Sequence, residues 1–311
     1  MMSPLIEELD NQAATLKELV RKASREGLEA NAPPRLDTGA VRQVPLTLAV
    51  TSGKGGVGKT LVSVNLATQF ASMGLRVLVL DADLGLANID VVLGLTPEFT
   101  IQDVLDGHKT LPEVAIPGPM GITILPAASG VAELSNLSES QRMLLLDHMD
   151  HWNADFDVVV VDTGAGISPN VRYFILAVER ILVVATPDPA SITDAYALMK
   201  VMYLNHRIDR FTLLVNQARS EREGLEVYRT VQRVADRFLN IGLDYAGFVP
   251  SDPYVTRAVR QQKTLLELYP TAQSVLSFAK ISQDLLKYWR ENRQQDGRLT
   301  FFGRRSLPGS A

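Results

Sequence analysis

The chain has 311 residues, of which 46% are hydrophobic and 21% charged, enough for one large α/β domain with a full core. Its net charge is −4 and it has no cysteine, which excludes a strongly basic overall surface for bulk nucleic-acid binding, disulfides, thiolate zinc sites and cysteine-bound iron–sulfur clusters. The start, Met1–Glu8, is acidic without an apolar segment, and no apolar run approaches bilayer length, so a soluble, cytoplasmic body is expected.

Residues 1–26 read as an N-terminal helix. Ser3 can cap it, Pro4 suits its first turn, and Ile6, Leu9, Ala13, Leu16 and Val20 recur at spacings of three and four. Such a helix is marginal alone and must lie on its own domain or on a partner. Residues 27–45 carry Pro33-Pro34 and Gly39 without periodicity and read as a linker.

The stretch that organises the rest follows. Pro45–Val50 reads as a buried strand and Leu61–Met73 as a helix, and between them lies Thr51-Ser52-Gly53-Lys54-Gly55-Gly56-Val57-Gly58-Lys59-Thr60. Strand, G-x-x-x-x-G-K-[ST] and helix together form a phosphate-binding loop. The glycines let backbone N–H groups turn inward around a polyphosphate, and the helix N-terminus adds its positive end. Gly53 to Leu61 are the expected nucleotide contacts. Lys59 is expected at the β and γ phosphates, and Thr60 on Mg²⁺. Lys54, directly after the first glycine, is a second lysine in a position that plain phosphate loops leave variable.

The strand Arg76–Leu80 ends in Asp81-Ala82-Asp83, at the strand end where open α/β sheets bind ligands. One of these carboxylates can orient the water that attacks the γ-phosphate. Ile101–Leu105 reads as a short helix and Ile122–Pro126 as a strand. Ser138–His151 reads as a helix with Gln141 as capping partner. His148 and His151, three apart on it, lack a third metal ligand and read as surface histidines. Asp157-Val158-Val159-Val160-Val161-Asp162 is an unbroken β-branched run, as a central parallel strand requires. It ends in Asp162, placed to hold Mg²⁺ through water. Thr163–Ser168 follows as a mobile glycine loop placed to sense the γ-phosphate.

The alternation then repeats: strand Arg180–Thr186, helix Ser191–Asn205, strand Phe211–Asn216, helix Glu221–Leu239, strand Leu243–Val249. A last helix covers Ala272–Gln294, with Val275, Phe278, Ile281, Leu285 and Leu286 facing inward. This alternation predicts a mostly parallel twisted sheet with helices on both faces, three layers in all, over residues 46–294. Residues 295–311 include Arg298-Leu299-Thr300-Phe301-Phe302-Gly303-Arg304-Arg305. Aromatics beside arginines suit weak, reversible contact with anionic lipid, and equally a frayed terminus.

The two-lysine loop resembles the deviant Walker A class, the MinD/ParA family. The resemblance implies an ATPase that uses ATP/ADP and Mg²⁺ and in which Lys54 reaches the nucleotide of a partner subunit. It also implies Asp83 as the water-activating residue, Thr60, Asp83 and Asp162 at the metal, and Asn216, Pro250 and Asp252 around the adenine. Asn216 reads equally well as a simple turn former. MinD proteins usually read D-S-P-A-G where this chain has Asp162-Thr163-Gly164-Ala165-Gly166, which points to a different branch. Together with Ser191–Lys200 and the L-x-F-F tail, these motifs resemble FlhG, also called FleN, the MinD-like ATPases that limit flagellar number. Members carry an N-terminal D-Q-A-x-x-L-R motif that stimulates the GTPase FlhF, and Asn11–Lys17 matches it at Gln12, Ala13 and Leu16.

The resemblance therefore implies a homodimer with ATP between the copies and reversible binding to the inner membrane through residues 298–307. It implies partners among an FlhF-type GTPase, a flagellar transcription activator and basal-body components. It also implies localisation on the cytoplasmic face of the inner membrane. Direct binding to DNA is not expected from the acidic balance. Rival readings are a ParA-type DNA- or cargo-positioning ATPase, a cell-division site-selection MinD, and a nucleotide-binding scaffold without turnover.

Overall fold

The computed structural model describes residues 45–84, 88–128, 137–152 and 156–292. The expected N-terminal helix with its Gln12-Ala13 motif, the linker up to residue 44, and the tail beyond residue 292 lie outside the described residues.

Eight strands form one sheet in the order β3-β4-β2-β5-β1-β6-β7-β8. They are β1 Leu46–Ser52, β2 Val77–Ala82, β3 Ile116–Pro117, β4 Thr123–Leu125, β5 Val158–Ala165, β6 Arg180–Ala185, β7 Arg210–Ala218 and β8 Gly242–Pro250. All neighbours run parallel except the short edge pair β3–β4. β1 lies between β5 and β6, so its C-terminal end opens at the centre of the sheet, where such folds bind ligands.

The β-branched run of β5 explains why it is interior. Val159 and Val161 enter one apolar core, and Val158 and Val160 enter the other. One face is covered by α1 Lys59–Ser72, through Val62, Leu66 and Phe70, and by the last helix α11 Gln273–Asn292, through Val275, Phe278, Ile281 and Leu286. The opposite face carries α6 Pro169–Leu176, α7 Pro189–His206 and α8 Glu221–Phe238. Smaller helices fill the connections: α2 Ile89–Leu93, α3 Ile101–Leu105, α4 Leu111–Val114, α5 Glu139–His151, α9 Pro253–Arg260 and α10 Leu265–Leu268.

Within the described residues the expected elements are present, with their ends moved by one or two residues in most cases. The expected cap of α5 forms: Gln141 N–H donates to Ser138 Oγ at 3.2 Å, and Ser138 N–H donates to Gln141 Oε1 at 2.9 Å. α6 is an addition to the expected set. Its local signals are Ser168, whose Oγ accepts from Val171 N–H at 3.3 Å, and Pro169 in the first turn. Thr163–Ser168 differs from expectation, because β5 continues to Ala165 instead of ending at Asp162. Thr163 Oγ1 donates to Val50 O at 3.1 Å, and Gly166 N–H to Ser52 O at 2.8 Å. These bonds to β1 hold the glycines in the sheet, and the loop shrinks to Gly166–Ser168.

α11 ties the two ends of the sheet together. Near its start Ser274 Oγ donates to Asp252 Oδ2 at 2.7 Å, just past the end of β8. Near its finish Trp289 Nε1 donates to Glu179 Oε2 at 3.2 Å, just before β6 begins. No helix among the described residues is long and apolar enough to cross a membrane.

Candidate functional site

The phosphate loop joins β1 to α1 at the centre of the sheet. Gly56 and Gly58 have φ of 78° and 88°, the left-handed region that only glycine enters without strain. Gly58 immediately precedes α1, so the loop aims its N–H groups along the helix N-terminus. Gly53 is required for another reason: a side chain there would run into the backbone carbonyl of Asp194 on α7. Leu61 lies in the first turn of α1, where its carbonyl accepts from Asn65 Nδ2 at 2.7 Å. Val57 is buried at the turn of the loop.

The two lysines of the loop part company. Lys59 is 8% exposed, and burial lowers its pKa against the opposing pull of Asp162 and Asp83. It is the interior cation, facing carboxylates at two strand ends. Lys54 lies on the outer rim, where its Nζ is 2.9 Å from Asp188 Oδ2, the residue that caps α7. Sequence reasoning read Asp188-Pro189 as the opening of this helix but gave Asp188 no place in the site.

Asp81 and Asp162 are cross-strand neighbours on β2 and β5. Both are fully buried, but their roles differ. Asp81 accepts backbone N–H bonds from Asp83 at 3.2 Å, Asn88 at 3.1 Å and Ile89 at 3.2 Å. It is a clamp that folds the chain after β2 back onto the strand end. Burial, and then the charge of Asp162, push its pKa well above the usual carboxylate range. Asp162 accepts from Ser63 Oγ at 2.8 Å and from the Thr60 hydroxyl. Burial raises its pKa to about 6. Ser63 was also missed, although it sits one helical turn after Lys59 and so faces the same way.

Asp83 remains the less buried member of the D-x-D pair. Burial raises its pKa and the charge of Lys59 opposes the rise. A Cβ built on Gly164 would come within 3.2 Å of Asp83 Oδ1, so the glycine of β5 leaves room for that carboxylate. Thr60, Asp83 and Asp162, the expected metal residues, thus converge from α1, β2 and β5. A hydroxyl and carboxylates, with further positions left for water and phosphate, suit a hard cation such as Mg²⁺. His148 is half-buried on α5. Among the described residues no cluster of three His, Cys, Asp or Glu side chains could hold a metal.

A model of the CobQ/CobB/MinD/ParA nucleotide binding domain matches residues 48–265. The chain belongs to the MinD/ParA family. It is 44% identical over 255 residues to the antiactivator FleN of Pseudomonas aeruginosa, which spans 82% of this chain and 91% of FleN. It is 33% identical over 261 residues to the flagellum site-determining protein YlxH of Helicobacter pylori, across 83% of this chain and 88% of that one. Among solved structures, the septum site-determining protein MinD of Pyrococcus horikoshii, complexed with Mg-ADP, superposes with a TM-score of 0.65 at 24% identity. That match covers 79% of this chain and 97% of MinD, and it shows the shared fold.

Within this MinD/ParA fold the residues expected around the base carry structural bonds. Asn216, at the end of β7, donates from Nδ2 to Val57 O at 2.8 Å and accepts from Gln217 N–H at 3.0 Å. It braces the phosphate loop from behind. Asp252 caps α9 by accepting from Tyr254 N–H at 2.9 Å, and its other oxygen accepts from Ser274. Pro250 ends β8, paired with Ala218.

Proposed function

We propose that the chain is an ATP hydrolase that works as two copies with ATP held between them. The observation that carries the two-copy reading is the split of the lysines. Lys59 fills the interior of its own loop, while Lys54 stands on an open rim, tethered only by an exposed pair with Asp188. An exposed pair of this kind contributes little, so Lys54 is free to exchange Asp188 for a phosphate brought by a second copy.

The chemistry is phosphoryl transfer to water. Backbone N–H groups of Gly53–Thr60 and the Lys59 ammonium hold and neutralise the polyphosphate. Asp83 orients the attacking water beside Gly164. Thr60 and Asp162 hold Mg²⁺, which supplies further charge neutralisation when bound. The base site favours adenine over guanine. Both Asp252 oxygens already accept bonds, from Tyr254 N–H and from Ser274, which fixes the carboxylate as a cap and lessens its use as a reader of guanine N–H groups. The backbone groups of Pro250–Asp252 not bonded to Ala218 and Val255 remain for the adenine edge.

Similarity to an antiactivator and to a flagellum site-determining protein supports regulation of flagellar number or placement. In this reading the nucleotide-driven pair presents two copies of the Leu299-x-Phe301-Phe302 tail to the inner membrane and binds it reversibly. The N-terminal helix engages an FlhF-type GTPase, and a flagellar transcription activator or basal-body components receive the output. The decisive experiment is sedimentation of the wild-type chain and Lys54→Ala with ADP and with ATP, beside phosphate release. The wild type is expected to pair with ATP alone, and Lys54→Ala to bind ATP without pairing or turnover. If the variant matches wild type in both sedimentation and turnover, the shared site is wrong.

A further inference from the structure

The outer face of the phosphate loop borders a cavity of about 440 Å³, lined by Lys54, Asp188, Gln217, Arg219 and Glu223 together with loop backbone. Lys54 is neutralised there by Asp188 at 2.9 Å. Arg219 is not neutralised: its exposed guanidinium meets no carboxylate, ring or carbonyl among the described residues. The second acid that lines the cavity, Glu223, is engaged otherwise, since it accepts the backbone N–H of Arg219 itself.

The position of Arg219 is built rather than incidental. β7 and β8 lose register between Val215 and Ala218, and Gln217 takes a left-handed φ of 59°. Such irregularities re-aim the side chains that follow. Ser251 N–H then donates to Ala218 O at 2.9 Å, and Glu223 fixes the amide of Arg219. The backbone is held from both sides, and the long side chain is left to the cavity.

We propose that Arg219 is a second cation supplied in trans. When two copies meet across this face, the guanidinium of one contacts the polyphosphate of the nucleoside triphosphate held by the other. This rests on the two-copy reading above and adds a residue to it. Two cations, Lys54 and Arg219, and two carboxylates, Asp188 and Glu223, line the cavity, and of the cations Lys54 alone has an ion-pair partner among the described residues. Lys54 must leave Asp188 before it can bind an incoming phosphate. Arg219 has no bond to break, and its planar fork matches two phosphate oxygens at once. It therefore makes the first contact and compensates the charge while Lys54 exchanges partners.

The test compares wild type, Arg219→Ala, Arg219→Lys and Lys54→Ala by sedimentation against protein concentration, with Mg-ATP present. ADP affinity is titrated separately at a concentration where each chain is single. Arg219→Ala is expected to weaken ATP-dependent pairing by about tenfold to a hundredfold, the effect of one charged hydrogen bond or two. Its ADP affinity should equal that of wild type, and Arg219→Lys should recover part of the pairing. If Arg219→Ala pairs like wild type while Lys54→Ala does not, the trans role of Arg219 is overturned and the two-copy reading stands. If both variants pair like wild type, the two-copy reading falls and takes this inference with it. If ADP affinity drops by the same factor as pairing, Arg219 acts on its own subunit's nucleotide, and the proposal is likewise overturned.

Discussion

Asn216→Ala separates a brace from a base reader. The side chain is 8% exposed and joins the end of β7 to the turn of the phosphate loop through Val57 O at 2.8 Å. Removing it leaves that buried carbonyl without its partner, a loss of about 1–3 kcal/mol. Gly58 packs against the amide, since a Cβ there would lie only 2.6 Å from Asn216 Nδ2, so removing the amide opens a gap into which the loop can sag. Where the loop must be re-ordered on binding, the full loss appears in affinity, about 5- to 150-fold at tenfold per 1.4 kcal/mol. The assay is displacement of a fluorescent ADP by ATP and, separately, by inorganic tripolyphosphate. A brace acts on the phosphates, so both ligands should weaken by the same factor. If ATP weakens and tripolyphosphate does not, Asn216 reads the base and the reasoning from Val57 is refuted.

Asp162 should impose a pH dependence on the chain without metal or nucleotide. Its pKa is about 6 when folded against an ordinary 3.8, so the folded state binds the extra proton and stability falls as pH rises from about 4 through 6. The cost is fully present at pH 7, and Asp162→Asn should shrink the gap in thermal midpoint between pH 5 and pH 7. An unchanged gap rules out Asp162 as its source. With Mg²⁺ bound the sign reverses, because the metal selects the ionised carboxylate. Deleting residues 298–311 should leave ATP-dependent pairing intact and abolish co-sedimentation with anionic vesicles. Retained vesicle binding would place the anchor elsewhere.

The site was legible where chemistry is local in sequence. Gly53–Thr60 declares itself by spacing, and Asp81, Asp83 and Asp162 each follow an apolar run whose strand character is plain. The pairing of distant residues was not legible. Asn216 and Val57 are 159 positions apart, and Lys54 and Asp188 are 134 apart, so neither partner marks the other in the sequence. The same holds for the division of labour within Asp81-Ala82-Asp83. Three backbone N–H groups claim Asp81 and leave the Asp83 carboxylate open to the site, a result of how the chain turns after β2. The extension of β5 through Thr163–Ala165 was hidden because Gly164 and Gly166 break the β-branched pattern. Those glycines make room for Asp83 and bond to β1, needs set by neighbouring strands.

The last helix has a consequence for how a nucleotide could control a membrane anchor. α11 begins beside the base end of the site, at Ser274 and Asp252, and runs for 20 residues to the opposite end of the sheet. At 1.5 Å per residue that is about 30 Å of rigid rod, with Trp289 fastened to Glu179 near its far end. The far end of α11 therefore lies about a helix length from Asp252. A lost γ-phosphate has no direct reach to that end. Under the proposed pairing, what it can change is how many copies are held together, so the signal passed to a lipid surface would be valence: one weak anchor or two, with avidity setting the switch.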